Sequence, residues 1–352
     1  MKVAIVPFDY ENNKADKMFK RKEIEYAPFR KMYTCFQEIG IEVHTIDVYD
    51  SLRNIDWIYF FALNTKWYTS LIWKKCENKM VYVAFEPETV IPFHSDAGIR
   101  LMCSYFKYIL TWNIEQKKEG KVFLFQVPYF YRKGGKREFG KRKLLVNISG
   151  NKYSDCKKEL YSERRKVIEY YDGSTDFALY GTGWDKEKYK SYKGRIKDKF
   201  DVYSDYKFAL CLENQRDTSG YVTEKILDCF CGGTVPVYLG AVNIADYIPQ
   251  ECFVNYAGFS SMEELDSFLR GMTEKEWNGY MQNINRWLER EDKPFTVENF
   301  VKSMVRVMEY DRENDYNFCL EHRIKVLCRS FFTGLRNKIR VIYKICQRKL
   351  RF

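Results

Sequence analysis

Apolar residues recur along this chain in two alternating rhythms. Residues 2–8 (KVAIVPF) and 41–48 (IEVHTIDV) read as strands, and 56–62 (DWIYFFA) and 79–85 (KMVYVAF) are further apolar runs of the same kind. Between them, 24–39 and 67–77 carry helical spacing, the first ending at Gly40. Two short strands follow at 106–112 and 121–127. After a break the alternation resumes, with a strand at 143–148, a helix at 160–171, a strand at 176–180 and the turn Gly181-Thr182-Gly183. A strand at 208–212 then leads through a polar loop to a helix that opens at 221–225 and stops at Gly232-Gly233. Strands at 234–239 and 253–255 and helices at 261–271, 274–289 and 296–310 complete the body. Strands alternating with helices predict parallel sheets. Two such runs without an internal repeat predict an α/β protein of two doubly wound Rossmann-like domains, 1–140 and 141–315, followed by a tail at 316–352.

The break at 131–143 (YRKGGKREFGKRK) is rich in glycine and carries seven basic side chains. It reads as an exposed linker, whose charges are solvated or face a phosphate or a membrane. The whole chain of 352 residues has a net charge of +11, but the charge is uneven. Residues 320–352 hold ten Lys or Arg and one acid, so the body is nearly neutral, as in an enzyme with an interaction tail. Within the tail, Ile324, Leu327, Phe331, Leu335, Ile339, Ile342, Ile345 and Leu350 recur at steps of three to five, the stripe of an amphipathic helix. A basic helix of this kind suits an anionic membrane surface, or packs on the body with its charges solvated. The body lacks a basic stripe or reader motif, so no nucleic-acid partner is expected.

Eleven cysteines are dispersed without a CxxC pair, and His44, His94 and His322 cluster with nothing, so zinc-ligand spacing is absent. Dispersed thiols fit a reducing compartment. The apolar start at 1–9 is too short for a signal peptide, and no run approaches the ~18 apolar residues of a membrane span. The expected location is the cytoplasm, peripheral on the inner face of the membrane.

The densest chemistry lies in 207–240 (KFALCLENQRDTSGYVTEKILDCFCGGTVPVYLG). A strand, a loop, a helix start and a second strand bring Glu224 and Lys225 to a helix N-terminus at the carboxyl edge of a parallel sheet, a favoured site for phosphate groups. Helix capping by Thr223 and Glu224 is the plainer use of the same residues. The ordered elements at 206–212, Glu213-Asn214, 221–225, 233–238 and Gly240 resemble the donor-binding signature of the α-1,3/1,4-fucosyltransferase family, bacterial type. The resemblance extends over about 80–270 and is dense only over 200–255.

That resemblance implies the glycosyltransferase B-type fold and a GDP-fucose donor whose sugar passes to a glycan hydroxyl with inversion, as an α-1,3 or α-1,4 linkage on an N-acetyllactosamine-like acceptor. It assigns Lys225 to the diphosphate and Glu224 to the ribose hydroxyls, with Tyr221 and Asn214 in the same cleft. A donor arginine after a Ser-Asn turn corresponds to Arg164, behind Ser149-Gly150-Asn151. Arg165 is the alternative, although Val167, Ile168 and Tyr171 follow Arg164 at the matching steps. The general base falls on Glu86, just past a strand tip, with Glu88 competing. No metal is required by this scheme, and divalent-cation stimulation stays open. Two further readings share the sequence: the same fold with another nucleotide-sugar donor, and a membrane-associated glycan-binding protein without turnover.

Overall fold

The computed structural model describes residues 1–132, 134, 137–314, 316 and 318. The segment 320–352, where the basic amphipathic helix is expected, lies outside the described residues.

The first sheet contains β1 (Lys2–Val6), β2 (Glu42–Thr45), β3 (Trp57–Phe60), β4 (Met80–Ala84), β5 (Tyr108–Thr111) and β6 (Val122–Leu124), in the order β2-β1-β3-β4-β5-β6. Every pairing is parallel. The second sheet contains β7 (Lys143–Ile148), β8 (Phe177–Tyr180), β9 (Tyr206–Leu212), β10 (Val235–Leu239) and β11 (Val254–Asn255), in the order β11-β10-β9-β7-β8, again all parallel. Unbroken apolar runs make these strands because both faces are covered: all five residues of β4 are buried. Side chains on one face of the first sheet pack with Met32, Phe36 and Phe300, and those on the other with Leu71, Ile72 and Phe106.

Each sheet reverses its winding once. In the first, β1 lies between β2 and β3; in the second, β7 lies between β8 and β9. Such reversals open a crevice beyond the carboxyl ends of the strands, because the flanking connections leave on opposite faces. The two crevices face each other and form the central cleft, into which Phe8, Phe61, Glu86 and Ser149 project from loops following β1, β3, β4 and β7.

Two features differ from the sequence-based expectation. Several described residues of the break at 131–143 dock on the second domain, where a solvated linker was the expectation. Arg132 pairs with Asp198 and lies over the Phe200 ring, Arg137 pairs with Asp205, and buried Arg142 donates to the carbonyls of Tyr206 and Gly233. The last described helix, Val297–Asn314, follows the second sheet in sequence yet packs on the first. Lys31 pairs with Glu298 at 3.1 Å, and the Tyr59 hydroxyl donates to the Met304 carbonyl at 2.7 Å. Its apolar positions Phe300, Val301, Met304 and Val307 complete that core, which local periodicity does not reveal.

Candidate active site

The helix Glu224–Cys231 begins at the floor of the cleft. Thr223 caps it, its hydroxyl accepting from the Lys225 backbone N–H. It ends where Gly233 adopts φ +71°, a left-handed position natural to glycine, and the Gly233 N–H donates to the Phe230 carbonyl. The short helix therefore aims its N-terminus, the positive end of its dipole, into the cleft.

Lys225 is held by a residue that the sequence reading left without a role. Glu213, wholly buried just past β9, accepts from Lys225 Nζ at 2.9 Å, from the Thr223 N–H at 2.9 Å and from the Thr223 hydroxyl at 2.7 Å. Burial opposes the charge on Lys225, but Glu213 and Glu224 outweigh it and hold the ammonium well above the usual lysine range. The Glu224 carboxylate, half exposed in the open cleft, lies 3.8 Å from the same ammonium. Enclosure by protein pushes its carboxyl up, and Lys225 and Lys199 together hold it below the usual carboxylate range.

Arg164 lies on the helix Tyr161–Tyr171 with its guanidinium buried against the end of β9. It donates to the carbonyls of Leu212 at 2.6 Å and Glu213 at 2.9 Å, so it fixes the strand end while still lining the cleft. Arg165 turns outward, donating to the Lys152 carbonyl and lying over the Tyr153 ring at 4.1 Å. Asn214 donates to the Tyr221 hydroxyl at 3.2 Å, and the buried Tyr221 ring lies 4.6 Å from that of Trp112. Burial raises the Tyr221 phenol well above its ordinary value, so it stays protonated. Asn151 is not among the cleft-lining residues: its amide donates to the Gly183 carbonyl at 3.2 Å, and its buried Oδ1 has no partner. Its neighbours Gly150 and Lys152 do line the cleft.

Glu86 enters from the opposite side, on the loop after β4. Its backbone is pinned from two directions. The Trp112 indole donates to the Phe85 carbonyl at 2.9 Å, and the buried His94 ring bonds the Glu86 carbonyl through Nδ1 and the Tyr82 hydroxyl through Nε2. The side chain is open to solvent in the cleft, yet the surrounding protein raises its pKa; Lys225 pulls it down and Glu224 pushes it up. Glu88 is not among the cleft-lining residues and lies 3.6 Å from Lys158 Nζ.

Glu86, Arg164, Asn214, Tyr221, Glu224 and Lys225 thus line one cavity of about 530 Å³. Lys199 and Asp228 join them and also border an adjoining cavity of about 510 Å³. They form an ion pair, and Asp228 also accepts from the Tyr129 hydroxyl at 3.0 Å. Burial outweighs the pull of Lys199 and pushes the Asp228 carboxyl up to about 6. Asp228 stands four residues after Glu224, one helical turn on, which was a readable signal; Lys199, 29 residues before its partner, carried none. Among the described residues, no group of three or more His, Cys, Asp or Glu side chains could hold a metal ion, and no helix is long and apolar enough to cross a membrane.

Solved structures share this architecture. An α1,3-fucosyltransferase crystal structure superposes with a TM-score of 0.57 at 16% identity, over 91% of both chains. HepE from Anabaena, solved with UDP and glucose, gives 0.52 at 11% identity over 88% of this chain and 99% of its own. The fold is that of the B-type glycosyltransferases. Residues 141–320 match the C-terminal part of glycosyltransferase family 10 (fucosyltransferase), and the chain belongs to that family. Among curated relatives, an α-(1,3)-fucosyltransferase of Helicobacter pylori is 37% identical over 75 residues, 21% of this chain and 16% of its own length. An α-(1,4)-fucosyltransferase of Arabidopsis thaliana is 40% identical over 67 residues, 19% of this chain and 16% of its own. The 4-galactosyl-N-acetylglucosaminide 3-α-L-fucosyltransferase 9 of Bos taurus is 29% identical over 178 residues, 50% of this chain and 41% of its own. The matches span less than half the length of each of these relatives.

Proposed function

We propose that this protein is an inverting glycosyltransferase that moves L-fucose from GDP-fucose to a glycan hydroxyl, as an α-1,3 or α-1,4 linkage on an N-acetyllactosamine-like acceptor. The observation that carries the reading is the opposition of Glu86, on the first domain, to Lys225 at a helix N-terminus on the second, within one cleft. Family membership and the names of the relatives support the choice of sugar.

In this scheme Lys225 and the N–H groups of its helix receive the diphosphate, and their charge is most valuable as negative charge grows on the departing phosphate. Arg164 shapes the cleft floor and supplies positive potential beneath the donor. Glu224 accepts hydrogen bonds from the ribose hydroxyls. Asn214 and Tyr221 brace the loop that leads into this helix, beside the donor. The Glu86 carboxylate takes the proton of the acceptor hydroxyl as its oxygen attacks the anomeric carbon. One carbon–oxygen bond forms as the bond to the β-phosphate breaks, and GDP leaves with the electron pair. A β-linked donor sugar becomes an α-fucoside.

A melting-temperature series with GDP, GDP-fucose and UDP checks the donor, since a ligand of the folded state raises stability with its concentration. GDP and GDP-fucose are expected to stabilise, and a response to UDP alone would replace the donor. Glu86→Gln should lower kcat by about 10²-fold or more with GDP affinity unchanged. Full turnover by this variant would remove Glu86 from its role.

A further inference from the structure

The two walls of the cleft are chemically unlike. The second domain contributes Lys152, Arg164, Lys199, Glu224, Lys225 and other polar groups. The first contributes Phe8, Phe29, Phe61 and Phe85 with Ala62, Ile91 and Val127, and among the described residues Glu86 is the one ionisable side chain that it adds to this cavity, Glu25 standing in the adjoining one. Phe8 and Phe61 stand in the loops just past β1 and β3, at the first sheet's own winding reversal. The rings run in a chain, with centroids 5.2 Å apart from Phe8 to Phe29, 6.2 Å from Phe29 to Phe61 and 5.0 Å from Phe61 to Phe85. Phe300 lies behind Phe61 and Phe85, so the inner end of the chain is anchored in the core.

A wall of this kind rejects a sugar face crowded with hydroxyls. Each hydroxyl buried there without a partner costs a desolvation penalty that the phenylalanines cannot return. It welcomes a pyranose face made of C–H bonds, which packs flat on an aromatic ring. Resting on the acceptor assignment above, we propose that Phe8, Phe29 and Phe85, backed by the buried Phe61, form the acceptor platform, which takes a pyranose by a C–H face and leaves its edge hydroxyl to Glu86. Specificity would then follow the ring face that an acceptor can turn to the wall more than its count of hydroxyls.

Saturation-transfer NMR with N-acetyllactosamine reads this directly and needs no turnover. Saturation should concentrate on the ring C–H protons of one pyranose face. Phe8→Leu and Phe29→Leu, at two half-buried positions, keep apolar bulk while removing the ring. Each should reduce that saturation and raise the acceptor KM roughly three- to tenfold, leaving the GDP-fucose KM and the GDP melting shift in place. Saturation spread evenly over the sugar, absent altogether, or unchanged in both variants would overturn the proposal, as would an effect confined to the donor KM. Replacement of GDP by UDP in the melting series would alter the donor assignment alone and leave this readout intact.

Discussion

At the scale of single residues, the site depends on carboxylates whose surroundings drive them apart. Glu86 is raised by the protein around it, and Glu224 is held down by two ammonium groups. A base must be ionised to accept a proton, so turnover should rise with pH as Glu86 deprotonates. Its raised value places that acid limb above the ordinary glutamate range, and a kcat–pH profile with the limb at or below that range would separate the limb from Glu86. Glu213 acts one step back, through Lys225. Glu213→Gln leaves the buried amide beside an ammonium that has lost the nearer of its two counter-charges, with Glu224 remaining at 3.8 Å, and removal of one member of a buried pair costs about 3–5 kcal/mol. Lys225 still reaches the open cleft with a quarter of its side chain exposed, so solvent returns part of that cost and about 2 kcal/mol is expected. Urea unfolding measures the loss. GDP titration should show weaker binding too, since the ammonium is no longer fixed in place; unchanged binding would confine Glu213 to stability.

At the scale of elements, loops that touch both domains set the geometry. Gly220 adopts φ +86°, and a Cβ there would lie 2.2 Å from the Trp112 carbonyl oxygen, a backbone atom that cannot swing aside. Gly220→Ala should therefore displace the Asn214–Tyr221 loop, cost about 1–3 kcal/mol, and weaken GDP binding. Because the Trp112 indole also holds the Phe85 carbonyl, kcat should fall as well. Gly258→Ala, where a Cβ meets nothing within 4 Å, is the control and should be near neutral by the same melting and kinetic measurements. The central strands were legible because double-sided burial writes itself as unbroken apolar runs, and the donor helix because its polar start and double-glycine stop are local. Asp9, Ala15 and Asp16, in left-handed conformations around two four-residue helices, were not. The Asp16 turn is held by contacts with Thr45 and His44 almost thirty residues away, and no local pattern encodes such a partner. Lys199 escaped for the same reason, whereas Glu213 stood inside the quoted signature and lacked only knowledge of what its carboxylate touches.

At the scale of the whole molecule, the return of the helix Val297–Asn314 to the first sheet ties two domains into one unit. Phe300 is one of these ties: it is buried, with its ring 5.4 Å from Phe125, 5.5 Å from Phe85 and 6.0 Å from Phe61. Phe300→Ala opens a cavity beneath the cleft wall and should cost about 3–5 kcal/mol. The loss falls on the first domain, since the pairing of β7 to β11 and the ion pair of Glu213 with Lys225 are untouched by it. A protein that unfolds as one cooperative unit should then show a separate, earlier transition in calorimetry, because the weakened domain no longer matches the stability of its partner. GDP should still raise the later transition, whose domain carries Glu224 and Lys225. A single transition lowered as a whole, with GDP shifting all of it, would mean that the cleft contacts around Trp112 and Tyr221 couple the domains more strongly than the returning helix does.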